Sequence, residues 1–98
     1  MIKVGLGAEL PQSVVLIGNF PNPFNATTTI SYEVREMEAV RLAVWDLAGQ
    51  QVGVLVDRVH SPGTYEVAFS AENLPSGTYF ARLETEEGIE SHKMILTK

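Results

Sequence analysis

Hydrophobic and polar residues alternate in short runs along this chain, a pattern that is typical of half-buried β-strands. The clearest run is 27–34, in which Ile30, Tyr32 and Val34 share one face and polar residues fill the other. Turn-forming residues recur about every 8–14 positions between the runs. The pattern therefore predicts an all-β fold, a sandwich of about seven antiparallel strands. The predicted strands are residues 13–18, 27–34, 40–46, 51–57, 64–70, 78–85 and 89–97.

The same alternation assigns an inner and an outer face to each strand. In strand 40–46 the two valines and the leucine are expected to point inward, which places Ala43 and Trp45 on the outer face. An outward tryptophan can anchor a binding partner, although it more often lies against a neighbouring strand or loop.

The fourth predicted strand, 51–57, is rich in valine. Val52, Val54 and Val56 are expected to share one face and Leu55 to lie on the other, so that both faces are partly covered.

A rigid corner is predicted after the first strand, with the sequence Asn19-Phe20-Pro21-Asn22-Pro23-Phe24-Asn25. Each proline fixes its own φ and favours an extended conformation of the residue before it, so that neither a helix nor a central strand can pass through. The asparagines can close turns by hydrogen bonding to nearby backbone. Both phenylalanine rings are expected to be buried beneath the end of the sandwich. Three neighbouring amides are also potential ligands of a hard cation, but Ca²⁺ sites usually include carboxylates, so turn closure is favoured.

A second structural motif is predicted at Leu74, Gly77 and Tyr79. Glycine and the preceding proline turn the chain, the leucine fills the core, and the tyrosine begins the next strand. This spacing is similar to a tyrosine corner, in which a buried ring donates its hydroxyl hydrogen bond to upstream backbone.

Composition and charge limit the class of protein. The 98 residues make one domain, in which 1–12 are predicted to be a linker or a remnant of the expressed fragment and 13–98 the sandwich. The net charge of −5 argues against a nucleic-acid partner, which requires a basic face. The longest strongly apolar run, residues 14–17, is too short for a membrane span.

The sequence offers no convincing catalytic or metal-binding constellation. His60 and His92 lie on different predicted elements and have no acidic or histidine companion at ligand spacing. Serine, histidine and aspartate all occur, but no glycine-framed nucleophile elbow does. We therefore expect a protein without enzymatic activity, cofactor or metal.

These segments together carry a family resemblance. The residues that carry it are Leu16, 19–25, 27–32, 40–46 with Gly49, Val52 and Leu55, 63–65, 74–83 and 93–98. In them the chain resembles the Ig-like C-terminal sorting module of proteins exported by the type IX secretion system. That module is itself similar to the Ig-like domain of the flagellar hook-cap protein. Many members have proline after the last asparagine of the corner, where this chain has Ala26.

The resemblance implies an Ig-like or fibronectin III-like sandwich that acts as a non-enzymatic sorting or surface-attachment module. The implied partners are the protein export machinery at the outer membrane and a covalently linked N-terminal passenger domain. The implied location is secreted or on the cell surface, reached through the periplasm.

The last predicted strand is the candidate recognition element, because basic residues bracket its apolar centre. Met94 and Leu96 are expected inward, Lys93 outward and Lys98 at a frayed end. The candidate recognition residues are Lys93, Met94, Ile95, Leu96, Lys98 and Trp45. The residues assigned to the two structural motifs are Asn19, Pro21, Asn22, Pro23, Phe24, Asn25, Leu74, Gly77 and Tyr79. Two other functions stay open: a carbohydrate-binding module that stacks sugars on Trp45 and Phe80, and a structural spacer or assembly domain.

Overall fold

Seven strands in two facing sheets make up the computed structural model, which describes residues 13–98. The predicted linker over residues 1–12 lies outside the described residues. The strands are β1 (Val14–Phe20), β2 (Thr27–Val34), β3 (Glu38–Asp46), β4 (Gln51–His60), β5 (Gly63–Ser70), β6 (Gly77–Thr85) and β7 (Gly88–Leu96). Each predicted strand is present, and the bounds of β2 agree with the prediction at both ends.

Both sheets are antiparallel. One has three strands in the order β1-β2-β5, and the other has four in the order β4-β3-β6-β7. This confirms the predicted β-sandwich. Residues 13–98 contain no helix, and so no membrane-spanning helix is found among them.

The core lies between the sheets and is built from the inward residues of the alternating runs. Each large apolar side chain buried here contributes about 1.5–3 kcal/mol to folding. The largest fully buried side chains are Tyr32, Phe24, Ile30, Leu42, Leu83, Met94, Leu96, Val34, Val40 and Val44.

Strand β4 does not keep the predicted faces, because its pairing with β3 contains two bulges. Leu42 pairs with Val56 and Ala43 with Val54, so Leu55 is an extra residue in the strand. A bulge reverses the inward–outward alternation between the residues on its two sides, so Val54 before Leu55 does not share the face of Val56 after it. Val54 is consequently 42% exposed, and it is wrong to group it with Val52 and Val56, which pack against the core together with Leu55.

A third bulge in β1 corrects the prediction for the corner. Leu16 pairs with Tyr32 and Gly18 with Ser31, which leaves Ile17 as the extra residue. After this bulge Asn19 pairs with the inward residue Ile30 and Phe20 pairs with Thr29, so Asn19 faces inward and Phe20 points outward. The Phe20 ring is therefore 82% exposed, whereas the Phe24 ring is buried as expected.

Three rings stack at one end of the sandwich, which the sequence did not indicate. The imidazole of His60 is buried and lies 4.1 Å from the ring centroid of Tyr65 and 5.7 Å from that of Tyr32. The Tyr32 hydroxyl and Nε2 of His60 share a hydrogen bond at 2.6 Å. Burial, with a smaller contribution from Tyr65, raises the pKa of Tyr32 to about 12, although Arg58 opposes the shift.

Candidate functional site

The last strand, β7, has the predicted inward and outward faces. Met94 and Leu96 are fully buried, Lys93 is exposed and Ile95 is half-buried on the outer face. The two buried residues are part of the hydrophobic core. Of the candidate residues in this strand, only Lys93 and Ile95 are therefore presented to a partner by the folded domain.

The side chain of Asn22 binds the outer edge of β7. Its Nδ2 donates a hydrogen bond to the carbonyl of Lys93 at 3.1 Å, and its Oδ1 accepts one from the N–H of Ile95 at 2.9 Å. One amide thus satisfies a carbonyl and an N–H of the strand in the way that a neighbouring strand would. The corner is consequently tied to a segment more than 70 residues away in sequence.

The backbone of Phe24 continues this contact. Its N–H donates to the carbonyl of Ile95 at 2.8 Å, and its carbonyl accepts from the N–H of Thr97 at 2.9 Å, which forms a short parallel bridge with Leu96. The Phe24 ring is buried in an edge-to-face contact with Phe69, with ring centroids 6.1 Å apart. We call Asn22, Phe24 and these four hydrogen bonds the edge clamp.

Hydrogen bonds inside the corner hold the edge clamp in place. Asn19 Nδ2 donates to the carbonyl of Pro21 at 3.2 Å and to Oγ1 of Thr28 at 3.1 Å. The Thr28 hydroxyl donates to the same Pro21 carbonyl at 2.8 Å. The peptide bonds before Pro21 and Pro23 are both cis. These contacts confirm that asparagine closes the turn.

The end of the corner explains one departure from the family pattern. Asn25 is exposed, and Ala26 has a φ of 73°. Proline cannot adopt a positive φ because its ring fixes φ near −65°. The corner of this chain therefore leaves through a conformation that excludes the proline found in many members.

The first half of β7 is covered by β1 rather than by the corner. Glu90 Oε1 accepts a hydrogen bond from the N–H of Leu16 at 2.6 Å, and Glu87 Oε1 accepts one from the N–H of Ser13 at 3.0 Å. These two side chains tie the start of β7 and the turn before it to β1, whereas the edge clamp holds the C-terminal half of the strand.

The tyrosine corner supports β7 from its other edge. The Tyr79 hydroxyl donates to the carbonyl of Pro75 at 2.7 Å, and its ring is buried, which confirms the predicted motif. Leu74 packs against the core. Gly77, with a φ of 155°, pairs with Leu96, and Tyr79 pairs with Met94. The last strand is therefore held between the two motifs that the sequence singled out.

Lys98 is held by contacts with the connection between β5 and β6. Its backbone N–H donates to Oγ of Ser76 at 2.9 Å, and its Nζ donates to the carbonyl of Glu72 at 2.6 Å. The expectation that Lys98 lies at a frayed end is therefore wrong. Its ammonium group is directed towards the β5–β6 connection and lies apart from Lys93.

Trp45 lies on the outer face of the four-stranded sheet, as predicted, and is half-buried. It pairs across strands with Phe80, which in turn pairs with Lys93. The guanidinium of Arg82 covers the indole, with its Cζ 4.4 Å from the ring centroid. The structure thus brings Trp45 and Lys93 to one face.

Arg82 is the neighbour that sequence reasoning missed. Its position between the inward residues Ala81 and Leu83 places it on the outer face of β6. The contact with Trp45 depends on the register of two strands that are distant in sequence, which no local pattern supplies.

Among residues 13–98, no group of three histidine, aspartate or glutamate side chains is placed to hold a metal ion.

A family model described as the secretion system C-terminal sorting domain matches residues 19–97. The match begins at the first residue of the corner and ends beyond β7, so it spans both the edge clamp and the tyrosine corner. No curated protein and no solved structure gives a significant match to this chain.

Proposed function

The chain belongs to the family of type IX secretion C-terminal sorting domains. We propose that the type IX export machinery recognises this domain by binding the outward side chains of β7. Membership makes the domain a sorting signal of a secreted or cell-surface protein, in a family of non-catalytic signal modules. The proposed partners are the outer-membrane export apparatus and an N-terminal passenger, with passage through the periplasm before export.

The observation that carries this proposal is the double support of β7. Four hydrogen bonds of the edge clamp hold its outer edge, and the pairing with β6 holds the other. A strand fixed in this way presents Lys93 and Ile95 at set backbone positions, so binding pays no cost for ordering the backbone. Met94 and Leu96 then serve recognition indirectly, because they anchor the strand in the core.

An export assay tests the proposal. The 98-residue chain is fused behind a reporter in a bacterium with a type IX system, and the reporter is quantified in the periplasm, on the surface and in the medium. A double variant, Lys93→Gln with Ile95→Ser, changes only outward side chains. We expect its reporter to accumulate in the periplasm.

A matched control carries Arg35→Gln and Val59→Ser, which remove a charge and an exposed apolar side chain elsewhere on the surface. Its export is expected to equal that of the unchanged chain. Circular dichroism of both purified variants checks that each is folded. Normal export of the Lys93 and Ile95 variant would contradict the proposed reading of β7.

The same assay separates the sorting role from a structural one. If the domain is a spacer similar to the Ig-like domain of the flagellar hook cap, the reporter fused to the unchanged chain is itself not exported.

A further inference from the structure

We propose that the outer face of the four-stranded sheet holds a binding site for an extended acidic peptide, centred on Arg82. The site is a groove of about 320 Å³ lined by Trp45, Phe80, Arg82 and Ser91, with Leu47 on its rim. We call it the β3–β6–β7 groove. It is independent of the export role, because it concerns what the purified domain binds.

The first reason is that Arg82 has no acidic partner. No carboxylate of residues 13–98 lies within 4.0 Å of its guanidinium, whereas Arg41 on the same face is paired with both Asp57 and Glu84. Glu84, the next outward residue on β6, is therefore engaged by Arg41 at 3.6 Å. An arginine without a partner at the centre of a groove is free to bind an incoming carboxylate in a bidentate manner.

The second reason is that Arg82 is pre-oriented. Its guanidinium stacks on the indole of Trp45, and stacking leaves the N–H groups at the edge of the guanidinium plane available to acceptors. A side chain that is already ordered loses less entropy on binding. The stack also occupies one face of the indole, which disfavours its use as a platform for a sugar ring.

The carboxylate inside the groove, that of Asp46, is not paired with Arg82. Asp46 Oδ1 accepts a hydrogen bond from the N–H of Gln50 at 2.8 Å, which engages it in the β3–β4 turn. The backbone of Asp46 takes part in the same turn, since its N–H donates to the carbonyl of Gln50 at 2.8 Å.

The third reason is the placement of a second cation. Lys93 pairs with Phe80, two residues from Arg82 on β6, so the two cations are diagonal neighbours at about 7–8 Å between their backbones. An extended peptide presents every second side chain on one face, at a spacing of about 6.6–6.8 Å. Two acidic residues separated by one residue therefore match Arg82 and Lys93.

The overall charge of −5 does not prevent this binding. At physiological ionic strength the Debye length is about 8 Å, which screens remote carboxylates, and within the groove the two cations Arg82 and Lys93 outweigh the single carboxylate of Asp46.

Fluorescence titration tests the site directly, because Trp45 is the single tryptophan of the chain. The probe is a capped five-residue peptide of serine and glutamate with glutamates at its second and fourth positions. We expect it to change the tryptophan emission, with an affinity that falls as salt is added. Replacing both glutamates by glutamine is expected to abolish the change, and placing them at adjacent positions is expected to weaken it.

Matched variants assign the binding to Arg82. Arg82→Gln is expected to raise the dissociation constant about tenfold, whereas Arg35→Gln, which removes the same charge from the connection between β2 and β3, is expected to leave it unchanged. No response to the glutamate peptide, equal binding of the glutamine peptide, or equal binding by both variants would each overturn the proposal. Glucuronic acid tests the other source of a carboxylate, and binding as tight as that of the peptide would overturn the assignment to a peptide. The titration can fail while the export proposal stands, and the reverse also holds.

Discussion

The amide of Asn22 accepts a hydrogen bond from the backbone N–H of Ile95 at 2.9 Å, although 73 residues separate them in sequence. The same amide donates to the carbonyl of Lys93. A single side chain of the proline-rich corner thereby fixes the strand that carries the candidate recognition residues. The corner and β7, which lie near opposite ends of the family match, are therefore in direct contact.

Removing this amide is expected to loosen the end of β7. Asn22→Ala deletes two exposed hydrogen bonds, which water replaces in part, so each counts at the low end of about 0.5–1.5 kcal/mol and the free energy of unfolding should fall by about 1 kcal/mol in urea denaturation. Hydrogen exchange at the Ile95 amide should accelerate more than at the core amides. The control is Asn25→Ala in the same corner, whose exposed side chain makes no hydrogen bond in the described structure. Equal exchange at Ile95 in both variants would argue against the edge clamp.

The hydroxyl of Tyr79 is expected to contribute measurably to stability. Tyr79→Phe leaves the carbonyl of Pro75 without its partner at a partly buried site, which should cost about 1–2 kcal/mol. Tyr65→Phe is the matched control, because its hydroxyl donates to the carbonyl of Ser61 at an exposed position where water can replace it. Thermal and urea unfolding compare the two. A Tyr65 variant that loses as much as the Tyr79 variant would contradict the difference in burial.

Stability is expected to fall at high pH because of Tyr32. Its pKa is raised to about 12 in the folded state, against about 10 in an unfolded chain. The unfolded state therefore releases this proton first, so the stabilisation is fully present below pH 10 and is lost as the pH rises towards 12. Urea unfolding between pH 9 and 12 should show a steeper decline in the unchanged chain than in Tyr32→Phe. Parallel slopes in the two proteins would count against the shift.

Glycine at position 26 is expected to stabilise the corner. Ala26 has a φ of 73°, a left-handed conformation that costs an L-residue about 1–2 kcal/mol. Glycine adopts it freely but loses more entropy on folding, so the net gain should be below about 1 kcal/mol. Ala26→Pro should instead destabilise the domain, because proline cannot reach this φ. Thermal unfolding of both variants is the measurement, and a lower melting temperature for Ala26→Gly would refute the expectation.

Strand bounds and inward faces could be predicted from the sequence where the alternating pattern is local and uninterrupted. β2 alternates without a bulge, and its bounds and inward face were predicted correctly. The tyrosine corner was also predictable, since Pro75, Gly77 and Tyr79 act within one short segment. The fold class followed from many such local signals acting in the same direction.

The errors arise where one extra residue changes the face of a strand. The bulges at Ile17 and Leu55 break the alternation between the residues on their two sides, which leaves Phe20 and Val54 exposed. A bulge is a property of two paired strands, and the partner strand is not encoded next to it in sequence. Three further contacts were not predictable, because their partners are also distant in sequence. They are the contacts of Asn22 with β7, of Lys98 with the β5–β6 connection and of Arg82 with Trp45.

The edge clamp also affects how copies of this domain behave when they are crowded together. An open sheet edge is a template on which a second molecule can add a strand, and this is how ordered aggregates begin. Here Asn22 and Phe24 already occupy the carbonyl of Lys93, both backbone groups of Ile95 and the N–H of Thr97. Domains packed side by side on a surface are therefore kept from polymerising through the C-terminal half of their last strands.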